Sequence, residues 1–390
     1  MTTGHAGGTT AGAPGARRGP GRHEGGDRRV RRRRRTVVGV AAGVLLLLGV
    51  WIGWAVAAPG GPAGPAPPRA QAPSVTYTNP VIAGDFPDPD VVRTGSTYVA
   101  VATGVGGTNV PVETSADLGT WRPRGDALPV LPAWAVPSWR YVWGPDLARQ
   151  GDHWVLWFTA EDASSGRECI GVATSGTVTG PYRPASTRPV VCQVALGGSI
   201  DPSEFVDGKG DRWLLWKNDG NCCHVPSQIW SQPLAADGTT PVGTAVPVLS
   251  YGGGWEDGGS PLRSTIEGPQ LVEVGGVLHL FFSGNGYDTA DYAVGHALCA
   301  SPAGPCQVTS AYPVLSSFGP VAGPGGASVF TDRLGGYWIA YAAWTEPEVG
   351  YASGGVRSMR IDRLRFIGTL PVVDGPTTTP VRTGAPSPDG

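Results

Sequence analysis

The residues of this sequence best suited to chemistry are three carboxylates at matching places in a repeated pattern. Asp88 and Asp201 each precede a proline, and Glu267 stands two residues before Pro269. Glycoside hydrolysis needs a protonated carboxylic acid at the leaving oxygen and an ionised carboxylate on the opposite face of the sugar. A third carboxylate close by disfavours ionisation of the acid. Three carboxylates in one pocket would suit this chemistry, whereas any one of them alone would more simply cap a turn.

Five repeats of one unit must bring these residues together. Each unit has a small or acidic residue with proline, an apolar strand, a glycine turn, and a second strand that ends in aromatic residues. The prolines stand at positions 89, 145, 202 and 269, and Gly326 takes the fifth place, at intervals of 56, 57, 67 and 57 residues. Alternating apolar residues around glycine turns are typical of β-hairpins. A third strand is predicted after three of the hairpins, over 170–175, 228–234 and 294–300.

Nearly equal all-β units of this length predict a five-bladed β-propeller rather than a flat sandwich. The innermost strands of a propeller begin at one rim of the central channel, so equivalent residues of the repeat converge on one pocket. That place is held by Asp88, Gly144, Asp201, Glu267–Gly268 and Gly325–Gly326. We therefore expect the three carboxylates to meet at this rim.

Several segments resemble glycoside hydrolase family 43, whose members are five-bladed propellers, over about residues 78–370. The segments that carry the resemblance are NPVIAGDFPDPDVVRTGSTYVAVATG (79–104), TSADLGTWRP (114–123), YVWGPDLAR (141–149), IDPSEFVDGKGDRWLLWKNDGN (200–221) and IEGPQLVEVGGVLHLFFSGN (266–285). The resemblance implies that Asp88 is the general base, Glu267 the general acid, and Asp201 the residue that tunes the protonation and orientation of the acid. It also implies inversion at the anomeric carbon and plant-type polysaccharide or oligosaccharide substrates that contain arabinose or xylose.

Two positions depart from the pattern of that family. Gly326, in GPGGASVF, stands where family members often have histidine, and Ala342 follows the tyrosine of the fifth-blade strand where histidine is also common. A fifth-blade histidine commonly supports the channel beside a calcium or other ion in this family. Because this chain lacks it, we predict no metal ligand and no cofactor, with a central calcium left as the disfavoured alternative.

Aromatic and polar residues near the carboxylates are candidates for binding the sugar. Trp143, beside Gly144 at the rim, is the first candidate for the wall of the pocket, and Phe86, two residues before Asp88, is the second. Trp255 lies in a glycine-rich loop before Glu267. Rings of this kind in a concave pocket suit a sugar, with a few polar groups to fix its orientation. Asn285 and Arg357 are candidates for binding hydroxyl groups, although a solvated loop position would explain either equally well.

The N-terminal part of the chain has the composition of an export segment. Residues 1–35 are rich in arginine and glycine and are predicted to be a disordered cytoplasmic segment. Residues 36–58 carry no charge and are long enough to cross a bilayer, as a retained anchor or as a cleaved signal segment. A Pro/Gly/Ala linker over 59–75, the propeller over 76–375 and a disordered tail over 376–390 are predicted to follow. The arginines place the N-terminus inside and the propeller outside the cytoplasm.

Charge excludes nucleic acid as a partner of the exported part. The whole chain has a net charge of −2, and its first 35 residues carry ten arginines against two acids, which leaves about −10 for the remainder. An acidic, aromatic-rich surface suits neutral sugars rather than phosphates. The arginine block adjoins an apolar span, which favours a role in membrane topology over phosphate binding.

Six cysteines in an exported chain predict disulfide bonds. Cys169–Cys192 and Cys299–Cys306 are the favoured pairs because each closes a short excursion of the chain. The adjacent residues Cys222 and Cys223 are left as either bonded to each other or reduced.

Two other functions compete with the inverting hydrolase. The missing fifth-blade histidine also suits a carbohydrate-binding propeller that has lost catalysis. A five-bladed hydrolase of fructans with a retaining mechanism is the other alternative, and retention requires carboxylates only about 5–5.5 Å apart.

Overall fold

The computed structural model describes residues 75–260 and 262–383. Within these residues, no helix is long and apolar enough to cross a membrane. The predicted cytoplasmic segment and span lie outside them, as do nearly all of the predicted linker and residues 384–390.

The described chain forms five four-stranded antiparallel sheets in sequence order, which confirms the predicted five-bladed propeller. Blade 1 contains β2 (Asp90–Thr94), β3 (Thr97–Val101), β4 (Pro111–Ser115) and β5 (Trp121–Asp126). Blade 2 contains β6 (Val142–Gln150), β7 (His153–Asp162), β8 (Arg167–Ser175) and β9 (Arg183–Pro184). Blade 3 contains β10 (Ser199–Val206), β11 (Arg212–Asn218), β12 (Gln228–Leu234) and β13 (Val246–Ser250).

The last two blades repeat this order. Blade 4 contains β14 (Ile266–Val274), β15 (Val277–Gly284), β16 (Ala293–Cys299) and β17 (Cys306–Val308). Blade 5 contains β18 (Val321–Thr331), β19 (Tyr337–Thr345), β20 (Ser358–Ile367) and β21 (Leu370–Val373). Short 3-10 helices cover Trp139–Tyr141, Val194–Leu196, Gly220–Cys223, Gly254–Glu256 and Tyr351–Ser353. The predicted third strands of blades 2, 3 and 4 correspond to β8, β12 and β16.

The second strand of each blade is the most apolar because it is covered on both faces by the neighbouring blades. Trp157 of β7, Trp216 of β11 and Trp338 of β19 are fully buried. The core consists of separate apolar clusters packed between and within the blades. The first strands are left around the central channel, where they present the polar residues of the candidate site.

The ring closes through a sixth, two-stranded sheet that corrects the predicted C-terminal boundary. β1 (Thr76–Tyr77) pairs antiparallel with β22 (Val381–Arg382), and the Thr383 amide donates to the Val75 carbonyl at 2.8 Å. The ordered domain therefore extends to residue 383 rather than 375, and the predicted disordered tail is wrong for its first part. Two-residue strands have no detectable periodicity, so their pairing is decided only when the two ends of the ring meet.

Candidate active site

The rim of the channel is built from one backbone feature repeated in all five blades. Asp88, Gly144, Asp201, Gly268 and Gly326 all have positive φ angles, between 47° and 56°. The pairing between the first two strands of blades 2 to 5 slips at this point, as in a β-bulge. Bulges change the direction of side chains and are common beside active sites. Positive φ is strained for a residue other than glycine, by roughly 1–3 kcal/mol, and such strain clusters at functional sites.

Two of the rim glycines leave room for the two rim aspartates. A Cβ atom added to Gly144 would lie 2.7 Å from Oδ1 of Asp201, and one added to Gly326 would overlap Oδ1 of Asp88. Each aspartate therefore lies against the rim glycine of the preceding blade in the ring. Glu267 stands one residue before its own rim glycine, Gly268, so its longer side chain enters the pocket from a neighbouring position.

The rim opens into a cavity of about 780 Å³ lined by all five blades. Asp88, Asp201 and Glu267 all line it. The predicted convergence of the three carboxylates is confirmed.

Asp88 is held by two donors. Nη2 of Arg357 donates to its Oδ1 at 2.8 Å, and the hydroxyl of Thr103 donates to its Oδ2 at 2.7 Å. Arg357 is only 4% exposed, and its guanidinium lies over the ring of Tyr292 at 5.7 Å. A buried guanidinium beside a carboxylate stabilises the ionised form of the carboxylate. This arrangement suits a group that accepts a proton from water.

Glu267 is held by a tyrosine and a lysine. The hydroxyl of Tyr292 donates to Oε1 at 2.8 Å, and Nζ of Lys217 donates to Oε2 at 2.9 Å. Lys217 is 1% exposed and also lies 3.7 Å from Oδ1 of Asp219. Burial lowers the pKa of Lys217, but the carboxylates of Glu267, Asp219 and Asp201 outweigh this effect and leave the pKa raised. The ammonium is therefore charged beside Glu267.

Asp201 completes the group. Its Oδ2 accepts a hydrogen bond from the amide of Gly268 at 3.0 Å, which places it beside the residue that follows Glu267. Burial, and then the charge of Glu267, raise the pKa of Asp201 to about 7, although Lys217 opposes the shift. The carboxyl of Asp201 therefore keeps its proton up to about neutral pH.

Comparison with known proteins agrees with this geometry. The family model described as glycosyl hydrolases family 43 matches residues 77–369, which includes blades 1 to 4 and the first three strands of blade 5. The chain belongs to glycosyl hydrolases family 43. It is a glycoside hydrolase.

Relatives in family 43 cover most of the propeller. A probable arabinan endo-1,5-alpha-L-arabinosidase A of Aspergillus clavatus is 27% identical over 282 residues, which cover 65% of this chain and 80% of that protein. The corresponding protein of Aspergillus fumigatus is 26% identical over 330 residues, which cover 76% of this chain and 94% of that protein. The crystal structure of a thermostable family-43 glycoside hydrolase superposes with a TM-score of 0.72 and 26% identity, covering 80% of this chain and all of that one. An endo-arabinase from Bacteroides thetaiotaomicron shares the fold, with a TM-score of 0.60 and 22% identity over 75% of this chain and 98% of that one.

In this family-43 chain, Trp143 and Arg357 line the cavity as predicted. The indole Nε1 of Trp143 donates to the carbonyl of Arg140 at 2.7 Å, which holds the ring at the cavity wall. Arg357 contacts the carboxylate of Asp88, so its interpretation as a solvated loop residue is wrong.

Phe86 does not line the cavity, and its prediction as a sugar contact is wrong. It is 2% exposed and packs in the apolar cluster between blades 1 and 5, with Ile82 and Met359. Its amide donates to the carbonyl of Arg357 at 2.9 Å. The segment before β2 therefore turns its ring into the interblade core while it places Asp88 at the rim.

Trp255 and Asn285 are also outside the cavity. The indole of Trp255 packs on Phe282 and fills the space over Gly284 and Gly295, where an added Cβ would come within 3 Å of the ring. Asn285 is buried, and its amide donates to the carbonyl of Trp255. The glycines of the fourth blade leave a groove for the indole, and Asn285 fixes the loop. Both residues therefore make their contacts within blade 4, away from the cavity.

Sequence reasoning missed Lys217, Thr103 and Tyr292, three donors of the site. For Lys217, a signal was present in the second strands of blades 2, 3 and 4. Thr159, Lys217 and Ser283 stand opposite Trp143, Ile200 and Glu267 in the register of blades 2, 3 and 4. The hydroxyls of Thr159 and Ser283 accept hydrogen bonds from the rim amides of the following blades. In blade 3 the equivalent position, after the apolar run WLLW, is Lys217, and its ammonium pairs with the carboxylate of Glu267.

The fifth blade does not fit an ion held by histidine. Ala342 is fully buried in β19, and at Gly326 any side chain would overlap Asp88. The positive charge beside Asp88 comes instead from Arg357. The described part of the chain contains no group of three or more His, Cys, Asp or Glu residues arranged to hold a metal.

Proposed function

We propose that this protein hydrolyses arabinofuranosyl linkages of arabinan-type polysaccharides with inversion. Asp88 is the general base, Glu267 the general acid, and Asp201 the residue that keeps the acid protonated. The observation that carries the proposal is the difference between the carboxylates. Asp88 is paired with a permanent cation, whereas Glu267 lies against Lys217 and beside Asp201, whose pKa burial and the charge of Glu267 raise to about 7.

The reaction follows from these contacts. A water between Asp88 and the anomeric carbon loses a proton to Asp88 while it attacks, and Glu267 donates its proton to the leaving oxygen. Arg357 and Thr103 hold Asp88 in orientation for this step. Tyr292 and Lys217 hold Glu267, and Lys217 stabilises the carboxylate that forms when the proton has left. Each proton transfer contributes roughly 10²–10⁴-fold to the rate.

The choice of arabinan rests on the relatives. The two proteins compared from Aspergillus are named as arabinan endo-1,5-alpha-L-arabinosidases. Trp143 supplies an aromatic wall on the blade 2 side of the cavity, with Tyr287 on the blade 4 side. A concave pocket with aromatic rings on two walls suits a neutral furanose chain.

A substrate panel tests the proposal. Linear arabinan, an aryl arabinofuranoside, an aryl xyloside, xylan and levan are each incubated with the wild-type protein and with Glu267→Gln as the matched inactive control. We expect release of arabinose or arabino-oligosaccharides, with proton NMR of the first product showing the inverted anomer. Cleavage of xylosides alone would replace the proposed substrate, and retention or cleavage of levan would favour the fructan alternative. Binding of arabinan without release of sugar would favour a binding propeller.

We also propose that the propeller works outside the cytoplasm. Its three disulfides, Cys169–Cys192, Cys222–Cys223 and Cys299–Cys306, suit an oxidising compartment. The two pairs predicted from the sequence are among them. Protease treatment of intact cells that express the full chain should digest the propeller if residues 36–58 anchor it with the N-terminus inside. Activity in the medium would indicate a cleaved signal segment instead.

A further inference from the structure

A disulfide between the adjacent residues Cys222 and Cys223 lies at the wall of the catalytic cavity. The two residues end the short 3-10 helix Gly220–Cys223, which follows β11 directly. Cys222 is exposed and lines the cavity, whereas the cysteines of the other two disulfides do not. No step of the proposed hydrolysis uses this bond.

The residue before the disulfide is connected to the general acid through one ammonium group. Oδ1 of Asn221 accepts a hydrogen bond from Nζ of Lys217 at 2.7 Å, and the same Nζ donates to Oε2 of Glu267 at 2.9 Å. Nδ2 of Asn221 donates in turn to the carbonyl of Leu262 at 3.2 Å. Asn221 is therefore one of the residues that hold the ammonium, together with Asp219, and the ammonium is one of the two donors that hold the Glu267 carboxyl.

The disulfide restricts the backbone at this turn. A bond between adjacent cysteines closes a ring that contains their shared peptide bond, and it removes conformational freedom that an ordinary exposed turn would keep. The next residue, His224, has a φ of 59°, a conformation that few residues other than glycine adopt. Outside this ring, Nη1 of Arg167 donates to Sγ of Cys223 at 2.8 Å, which is a further contact of the disulfide.

We propose that the Cys222–Cys223 disulfide is a positioning element for the general acid. It keeps Asn221 on Lys217, and Lys217 keeps Glu267 in the orientation for proton donation. The inference rests on the proposed function, in which Glu267 is that acid. When dithiothreitol reduces this disulfide, the S–S bond breaks, two thiols form, and dithiothreitol is oxidised to its cyclic disulfide. The released turn no longer holds Asn221, and turnover falls.

The charges around Lys217 determine the direction of the accompanying change with pH. Its ammonium faces Glu267, Asp219 and Asp201, while Arg167 and Glu168 lie beyond Asp219. Without Asn221, the ammonium moves toward Asp219 and away from Glu267. Asp201, whose raised pKa Lys217 opposes, then has less positive charge beside it and keeps its proton to higher pH.

The first experiment compares Cys222→Ser/Cys223→Ser with the wild type on the best substrate of the panel. We expect kcat to fall about tenfold with KM changed less than about twofold, because the lost interaction acts on proton donation rather than binding. The alkaline limb of the pH profile should move upward by about half a unit. Cys299→Ser/Cys306→Ser removes a disulfide outside the cavity and is the matched control, expected to leave kcat and the limb unchanged. Dithiothreitol, with mass mapping of the thiols formed at Cys222 and Cys223, should reproduce the effect in the wild type.

Two further variants separate positioning from a general loss of stability. Asn221→Ala keeps the disulfide but removes the acceptor of Lys217, so it should reproduce the loss of kcat and the shift of the limb. It also replaces the cysteine variant if that variant does not fold. In a Lys217→Met background, removing the disulfide should have no further effect on the limb, because coupled residues are not additive.

A titration that needs no turnover distinguishes a failure of this inference from a failure of the proposed function. Carbon-13 NMR follows the Asp201 carboxyl, assigned with Asp201→Asn, in the wild type and in Cys222→Ser/Cys223→Ser. We expect its midpoint to rise in the variant. If the wild type hydrolyses none of the glycans, the proposed function fails while this titration still decides the inference. Unchanged kcat and an unchanged titration in the folded cysteine variant, or in Asn221→Ala, would overturn it.

Discussion

The carboxylates on the two sides of the cavity have different charged neighbours. On the side of blades 5 and 1, Asp88 has Arg357 on one oxygen and the hydroxyl of Thr103 on the other. On the side of blades 3 and 4, Asp201, Asp219 and Glu267 surround one cation, Lys217. The first side pairs the base with a guanidinium of its own. The second has more carboxyls than cations, and burial then favours a retained proton.

The comparison shows how one repeat produces two catalytic roles. Asp88 and Asp201 have the same rim position and nearly the same φ, 50° and 54°. Their neighbours differ: Asp88 meets an arginine, whereas Asp201 meets Glu267. The backbone supplies the position of a carboxylate, and the charges supplied by other blades decide whether it accepts or retains a proton.

The largest effect is expected from the two groups that exchange protons. Asp88→Asn and Glu267→Gln should each lower kcat on arabinan by roughly 10²–10⁴-fold, with unfolding midpoints close to that of the wild type. An aryl glycoside whose leaving group needs no proton should restore much of the rate to Glu267→Gln but none to Asp88→Asn. Equal recovery of both variants would mean that the roles on the two sides are wrongly assigned.

Removing the cation from each side should affect opposite limbs of the pH profile. Lys217→Met leaves Glu267 without its buried partner, so the free energy of unfolding should fall by about 3 kcal/mol and the alkaline limb should move to higher pH. Arg357→Met should instead move the acidic limb, which reports ionisation of the base, to higher pH. Denaturant unfolding and pH profiles of kcat/KM measure both. If the two variants moved the same limb, the two sides would not be electrostatically distinct.

Asp201→Asn tests the electrostatic role of Asp201 on the side of the cavity that holds the general acid. Since burial and Glu267 raise the pKa of Asp201 to about 7, wild-type activity should fall as the pH rises through neutrality, when the pair loses its proton. The variant removes one negative charge, so Glu267 ionises more easily and the alkaline limb should move to lower pH. The rate at the optimum should fall about tenfold, equivalent to about 1.4 kcal/mol of barrier. An unchanged limb would reduce Asp201 to a structural turn residue.

The smallest effect is expected at the cavity wall. Trp143→Ala should raise KM for arabinan about threefold to tenfold and leave the pH profile unchanged, because the indole lines the cavity and its hydrogen bond goes to a backbone carbonyl rather than to a titrating group. Tyr312→Ala is the control, since Tyr312 is 78% exposed and does not line the cavity. A change in kcat without a change in KM for Trp143→Ala would place the indole in orientation of the acid instead of in binding.

The five repeats, the rim position and the convergence of the three carboxylates could be predicted from the sequence. These features are local, because each blade repeats the same hairpin and the same short motif around its rim residue. Trp143, adjacent to the rim glycine Gly144, was also predicted at the cavity wall, where the structure has it.

The tertiary structure alone decided the partners and the direction of individual side chains. Lys217 and Glu267 are separated by 50 residues in sequence, and Arg357 and Asp88 by 269. No local sequence pattern can therefore predict either pair. Phe86 and Trp255 were misassigned because an aromatic near a catalytic motif looks the same in sequence whether it faces sugar or core. Its direction depends on the space left by other blades, such as the groove over Gly284 and Gly295 that takes the indole of Trp255. Packing between blades, and not proximity in sequence, decides which rings are left at the cavity.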